Sequence, residues 1–152
     1  MNRVITIGRE FGSGGRELGV RLANALDFAY YDKEIITAIV NHTDLAEGFV
    51  KEVVEGKSAR YFPLNIGQSM NINVDYQIHQ MQSIVKAQTE TIKEMALKSN
   101  CVIVGRCSDM VLKDFANVAH IFVYAHEDDR VRHVMERNNL DEVKARKLMK
   151  KT

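Results

Sequence analysis

The sequence predicts an α/β protein with a three-layer parallel sheet, and three observations support this. Short β-branched apolar runs recur along the chain, at residues 3–7, 28–31, 101–104 and 118–124. Segments with apolar residues at helical spacing lie between these runs. A glycine-rich turn follows the first run directly. Strands that alternate with helices are typical of a parallel sheet covered on both faces.

The helical segments are predicted from spacing and capping residues. The first, at about residues 14–26, carries Leu18, Leu22, Ala25 and Leu26 on one face. Asp32 can cap a helix that begins at Lys33. Further helices are expected near residues 43–54, 75–99, 108–113 and 127–138 and from Asp141 onward, and residues 55–73 are expected to be irregular.

Bulk composition indicates an ordinary globular chain. The 152 residues are about one domain's length, and the formal net charge of +1 does not favour nucleic acid or a membrane surface. The N-terminus has no long apolar run, so we expect a cytoplasmic protein rather than a secreted one. The scattered histidines and the two cysteines show no metal-ligand spacing, so no metal site is predicted.

The glycine-rich turn, from Gly8 to Gly15, has the composition of an anion site. Glycines allow positive φ, so that N–H groups can converge on one point, and the following helix adds its N-terminal amides. The standard P-loop, GxxxxGK[ST], is not matched, because Gly15 stands at the lysine position and Arg16 at the hydroxyl position. A tight turn without a ligand remains the alternative. The predicted phosphate-binding residues are Gly8, Arg9, Gly12, Ser13, Gly14, Gly15 and Arg16.

The segments ITIGREFGSGGRELG, YYDKEI and VIVGRCSDMVL, with HIFVYAHEDDRVRHVMER later, resemble the cytidylate kinase-like family of P-loop nucleoside-monophosphate kinases. The resemblance covers nearly the whole chain and implies P-loop NTPase-type topology. It also implies transfer of the ATP γ-phosphoryl group to CMP or dCMP with Mg²⁺. A monophosphate-binding insertion is expected at residues 43–75 and the start of a lid at about 126–152, all within a single domain.

The same resemblance implies roles for individual residues. Gly12 to Arg16 would hold the ATP phosphates, with Arg16 acting on the transferred group. Asp32, Arg106 and Asp109 would lie at the acceptor site. Arg130 and Arg132 match the start of the lid, and Arg130 is a candidate catalytic residue.

This sequence departs from the family pattern in three ways. It lacks the P-loop lysine, it has no arginine soon after Asp32, and it reaches Thr152 with no sequence for the rest of the lid or a last strand. An open sheet edge would allow a homodimer. The alternatives to a kinase for nucleotides are a nucleotide- or anion-binding module without catalysis and a small-metabolite kinase on the same fold.

Overall fold

A computed structural model describes residues 2–43, 45–55 and 73–150 of the chain. Most of the predicted irregular segment, and much of the predicted insertion at 43–75, lie outside the described residues. The elements in chain order are β1 (Val4–Arg9), α1 (Gly15–Leu26), β2 (Ala29–Tyr31), α2 (Glu34–Thr43), α3 (Glu47–Val54), α4 (Asn73–Lys98), β3 (Cys101–Val104), α5 (Ser108–Val111), β4 (Val118–Val123), α6 (Glu127–Asn138) and α7 (Glu142–Met149).

The four strands form one parallel sheet in the order β2-β3-β1-β4. This confirms the predicted α/β class with a parallel sheet flanked by helices. One boundary was predicted wrongly, because β1 continues through Gly8 and Arg9, which pair with Phe122 and Val123 of β4. The turn therefore begins at Glu10, and Arg9 is the last residue of a central strand rather than part of the loop.

The chain divides into two compact units, residues 1–31 with 96–152 and residues 32–95. The first contains the whole sheet. Its central strand β3 is buried along its full length, as expected of a parallel strand covered on both faces. Burial raises the pKa of the Cys101 thiol in this strand to about 11, so the thiol is neutral and unreactive at pH 7.

Helix α1 packs on this sheet through small residues. Gly19 and Ala23 are buried, whereas Leu26 of the predicted apolar face is 46% exposed. A Cβ added at Gly19 would lie 2.7 Å from Val104 Cγ2, so the glycine sets how closely the helix approaches β3. Leu22 of the predicted face packs against the same core, so the buried face of α1 combines small residues with one leucine.

Helices α6 and α7 form a hairpin with a small core of Val131, Val134 and Ala145. Arg146 of α7 fastens it, donating to Glu127 Oε1 at 2.7 Å and to Asp128 Oδ1 at 3.1 Å at the start of α6. The Asp141 carboxylate caps α7 by accepting from the Lys144 amide, and this bond lowers the pKa of Asp141.

The second unit is helical in its described part. Helices α2 and α3 pack together, with Ile35, Ile39 and Val50 fully buried. Ile84 and Ile92 of α4 are also fully buried. None of the helices in the described ranges combines the length and the apolar character that a membrane span requires.

Two glycine substitutions test the packing of α1. Gly19→Ala is expected to lower the free energy of unfolding by about 1 to 3 kcal/mol, because the new methyl group overpacks against Val104. Gly48→Ala is the matched control: it also lies in a helix, nothing lies within 4 Å of its added Cβ, and it is expected to gain about 0.5 to 1 kcal/mol. Urea unfolding followed by circular dichroism measures both. Equal effects would contradict the close approach of α1 to β3.

Candidate functional site

The glycine loop joins the central strand β1 to the start of α1. Gly12 and Gly14 both have φ of +84°, a conformation that glycine adopts without steric cost. The first intrahelical bond of α1 runs from the Leu18 amide to the Gly14 carbonyl, at 3.0 Å. The amides of Gly15, Arg16 and Glu17 lie in the first turn of α1, before that bond. They lie at the positive end of the helix dipole, which favours an anion.

A hollow of about 210 Å³ lies against this loop. Gly12, Gly14, Gly15 and Arg16 line it on one side, and His133 and Arg137 of α6 line it on the other. Pockets that hold a drug-sized ligand usually measure roughly 300–1,000 Å³. The hollow is therefore smaller than a pocket that encloses a whole drug-sized ligand.

Helix α6 holds the loop through its backbone. The Gly12 carbonyl oxygen lies 2.9 Å from His133 Nδ1, and because a carbonyl only accepts, this ring nitrogen carries the proton. Arg130 Nη1 donates to the Phe11 carbonyl at 3.5 Å. A Cβ added at Gly12 would lie 2.9 Å from both the Arg130 carbonyl and Val134 Cγ2. The loop is therefore packed directly on α6, and two of its carbonyl oxygens are covered by donors.

Charged side chains around the hollow are arranged in pairs. Arg130 Nε lies 3.4 Å from Glu10 Oε2, and Arg137 Nη1 lies 3.3 Å from Glu17 Oε1. His133 Nε2 is 4.0 Å from the same Glu17 oxygen. Arginines therefore offset both glutamates that line the hollow. Arg9 and Arg16, which also line it, add further positive charge.

Two of the predicted phosphate-binding residues have structural contacts with β4. The Ser13 hydroxyl lies 2.9 Å from the Glu10 carbonyl and 3.0 Å from the Val123 carbonyl, and the Ser13 amide donates to Glu10 at 3.2 Å. Ser13 thus fastens the loop to β4. Gly8 lies inside β1, where an added Cβ would meet the Phe122 ring at 2.9 Å. Phosphate contacts by Ser13 and Gly8 stay predictions.

The turn after β3 is strained. Gly105, Arg106 and Cys107 have φ values of 71°, 60° and 51°, three consecutive left-handed residues. A side chain in this conformation costs about 1–2 kcal/mol per residue, and such strain is concentrated at functional sites. Arg106 Nε is buried, whereas Cys107 is exposed. Asp109 lies in the short helix α5 that follows, and its side chain is exposed.

The remaining predicted residues lie elsewhere. Asp32 belongs to the second unit, where its side chain is buried. Its amide donates to Glu34 Oε2 at 3.0 Å, and this bond lowers the pKa of Glu34. Arg132 is paired with Asp129 at 3.4 Å on the exposed side of α6. The acceptor-site roles of Asp32, Arg106 and Asp109, and the catalytic role of Arg130, stay predictions.

The binding of Mg²⁺, which the family resemblance implies, stays a prediction. Arg16 stands where a P-loop hydroxyl would coordinate Mg²⁺. Glu10 and Glu17 are engaged with arginines. Within residues 2–43, 45–55 and 73–150, no cluster of three acidic, histidine or cysteine side chains could hold a metal ion.

Sequence reasoning missed His133 and Arg137. Arg130, His133 and Arg137 follow each other at intervals of three and four residues, which places them on one face of a helix. That spacing was visible in the sequence. The target of this face was not, because it depends on how α6 docks against the loop.

Substitution of the two left-handed loop glycines separates backbone strain from packing. Gly14→Ala is expected to lower the free energy of unfolding by about 1–2 kcal/mol through strain of the left-handed backbone. Packing adds nothing, because its Cβ would meet only His133 Cε1, at 4.0 Å. Gly12→Ala is expected to cost about 1–3 kcal/mol more, because its Cβ also collides with α6. Denaturant unfolding measures the difference. A smaller cost at Gly12 than at Gly14 would contradict the packing of the loop on α6.

The chain is similar to known proteins in both sequence and structure. The sequence model of the cytidylate kinase-like family matches residues 4–152. No curated protein matches the chain significantly. The crystal structure of an uncharacterized protein from Eubacterium ventriosum ATCC 27560 is similar, with a TM-score of 0.65 and 29% sequence identity, and the match covers 99% of this chain and 70% of that one. The chain described here therefore belongs to the cytidylate kinase-like family.

Proposed function

We propose that this protein transfers the γ-phosphoryl group of ATP to a nucleoside monophosphate, with CMP or dCMP as the preferred acceptor. The observation that carries the proposal is the small hollow at the start of α1, which combines N-terminal helix amides with arginines. Membership of the cytidylate kinase-like family supports a nucleotide as the source of the phosphate. The preference for a cytosine base follows from the resemblance alone.

In this reaction the protein positions the two substrates and stabilises the charge on the transferred group, and it forms no covalent bond to them. An oxygen of the acceptor phosphate attacks the γ-phosphorus, the bond between that phosphorus and the β,γ-bridging oxygen breaks, and ADP leaves. Negative charge is spread over the transferred group during this exchange, so preorganised donors stabilise the transition state. In the proposal, the amides of Gly14, Gly15 and Arg16 hold the donor phosphates, and the Arg16 guanidinium contacts the transferred group.

Arg106 would receive the acceptor phosphate. It lies in the strained turn at the carboxyl end of β3, and β3 pairs with β1, whose own carboxyl end leads into the loop. In parallel sheets, ligands bind beyond the carboxyl ends of the strands. Arg130 acts in the proposal by holding the loop through Glu10 and Phe11, because its contacts are with these two residues.

A nucleotide- or anion-binding module without catalysis is the second candidate. The absence of both the P-loop lysine and the P-loop hydroxyl favours it, since Gly15 and Arg16 stand in their places. A small-metabolite kinase would use the same donor site with a different acceptor.

A coupled assay with ATP and Mg²⁺ and a panel of CMP, dCMP, UMP, AMP, GMP and non-nucleotide alcohols separates these functions. We expect CMP or dCMP to give the highest kcat/KM. Arg106→Ala is expected to lower kcat/KM by about 100-fold or more, because it removes a charged donor to the reacting phosphates.

Arg21→Ala is the control variant, because Arg21 is exposed on α1 beyond its first turn. It should retain the activity of the wild-type protein. ATP binding without turnover of any acceptor would favour the binding module. Turnover of an alcohol but of no monophosphate would favour the small-metabolite kinase.

A further inference from the structure

Backbone conformation does not explain why residue 15 is a glycine. It begins α1, and its φ is not in the left-handed region that requires glycine. Glycine in a helix costs about 1 kcal/mol relative to alanine. The reason for Gly15 is therefore to be found in the space around it.

That space is filled by the stem of Arg9. A Cβ added at Gly15 would lie 2.6 Å from Arg9 Cβ and 3.1 Å from Arg9 Cγ. Any side chain at the P-loop lysine position would collide with the side chain that leaves the end of β1. With the Arg9 side chain in this position, a lysine cannot be accommodated at residue 15.

The head of the same side chain reaches the turn after β3. A Cβ added at Gly105 would overlap Arg9 Nη1 and would lie 2.8 Å from Arg9 Cζ. The guanidinium therefore lies directly against Gly105, next to Arg106. The Arg9 side chain therefore runs from the start of α1 to the turn that carries the proposed acceptor arginine.

In the standard P-loop, the lysine at the position of Gly15 reaches the β- and γ-phosphates. A guanidinium can do this with more than one donor, because its five N–H groups form a fork that matches phosphate oxygens. Arg9 also lines the hollow beside Gly14 and Gly15. Its stem starts where the lysine stem would lie, and its guanidinium lies against the turn that precedes Arg106.

We infer that Arg9 takes the place of the P-loop lysine, with its guanidinium binding the β- and γ-phosphates of ATP. This inference rests on the proposed nucleotide binding but not on turnover. Gly15 then leaves room for the stem of Arg9, and Gly105 leaves room for its guanidinium.

Arg9→Met tests the inference, because methionine keeps an unbranched stem of similar path and removes the charge. Isothermal calorimetry with ATP and with inorganic tripolyphosphate is expected to show binding weakened roughly 10- to 100-fold relative to the wild-type protein. Arg9→Lys should retain more affinity than Arg9→Met. A purely structural role would predict the same affinity for Arg9→Met as for the wild-type protein.

An exchange variant gives an independent test. Gly15→Lys alone should be destabilised, because its Cβ meets Arg9. Gly15→Lys combined with Arg9→Gly frees that space and should bind tripolyphosphate more tightly than Arg9→Gly alone. Arg21→Met is the charge-matched control and should bind as the wild-type protein does. Thermal unfolding identifies folded variants, and Arg9→Gln replaces Arg9→Met if the latter does not fold.

The outcomes distinguish this inference from the proposed function. Wild-type affinity in the folded Arg9→Met or Arg9→Gln variant would overturn the inference and leave the kinase proposal intact. Weakened binding with no turnover by the wild-type protein would uphold the inference and reject the kinase proposal. Absence of tripolyphosphate and ATP binding by the wild-type protein would overturn both.

Discussion

The candidate site depends on the attachment of the glycine loop to α6. Donors from His133 and Arg130 cover the carbonyl oxygens of Gly12 and Phe11. Uncovered carbonyl oxygens would carry partial negative charge at the edge of the hollow and repel an anion. By holding these oxygens and packing against Gly12, α6 fixes the loop in a conformation whose neighbouring helix amides favour negative charge.

Glycines serve two different physical purposes around this site. Gly12 and Gly14 adopt a left-handed backbone that other residues enter only with strain. Gly15 and Gly19 lie in a helix and are needed for space, against Arg9 and Val104 respectively. Gly12 and Gly105 meet both requirements, because each has a positive φ and no room for a Cβ. A substitution would therefore be costly through backbone strain, through lack of space or through both, although all five glycines look alike in the sequence.

Local patterns in the sequence were sufficient to predict the class of fold. The four apolar runs became the four strands of a parallel sheet, and β3 and α6 begin and end where the spacing predicted. The extension of β1 was not visible, because Gly8 and Arg9 are held in the strand by pairing with β4, more than 100 residues away in the sequence. The buried face of α1 was only partly predicted. Leu22 packs against the core, but Leu26 is exposed, and the fully buried positions are small residues that allow close approach to the sheet.

The candidate site was only partly predictable, because some of its contacts also join residues that are far apart in the sequence. The glycine loop and Arg16 stand out as a local motif. The contact of Arg9 with Gly105 joins residues nearly a hundred positions apart and depends on the path of one side chain, so no spacing rule could reveal it. His133 and Arg137 had the right helical spacing, but a charged helix face is also typical of a solvated surface.

The central claim is that the amides at the start of α1 bind phosphate. Nuclear magnetic resonance of the ¹⁵N-labelled protein, titrated with inorganic tripolyphosphate, tests it residue by residue. We expect saturable shifts concentrated in the amides of Gly12 to Glu17, with the Arg9 side chain among the affected groups. Shifts absent from these amides, or spread over the surface lysines without saturation, would contradict the account.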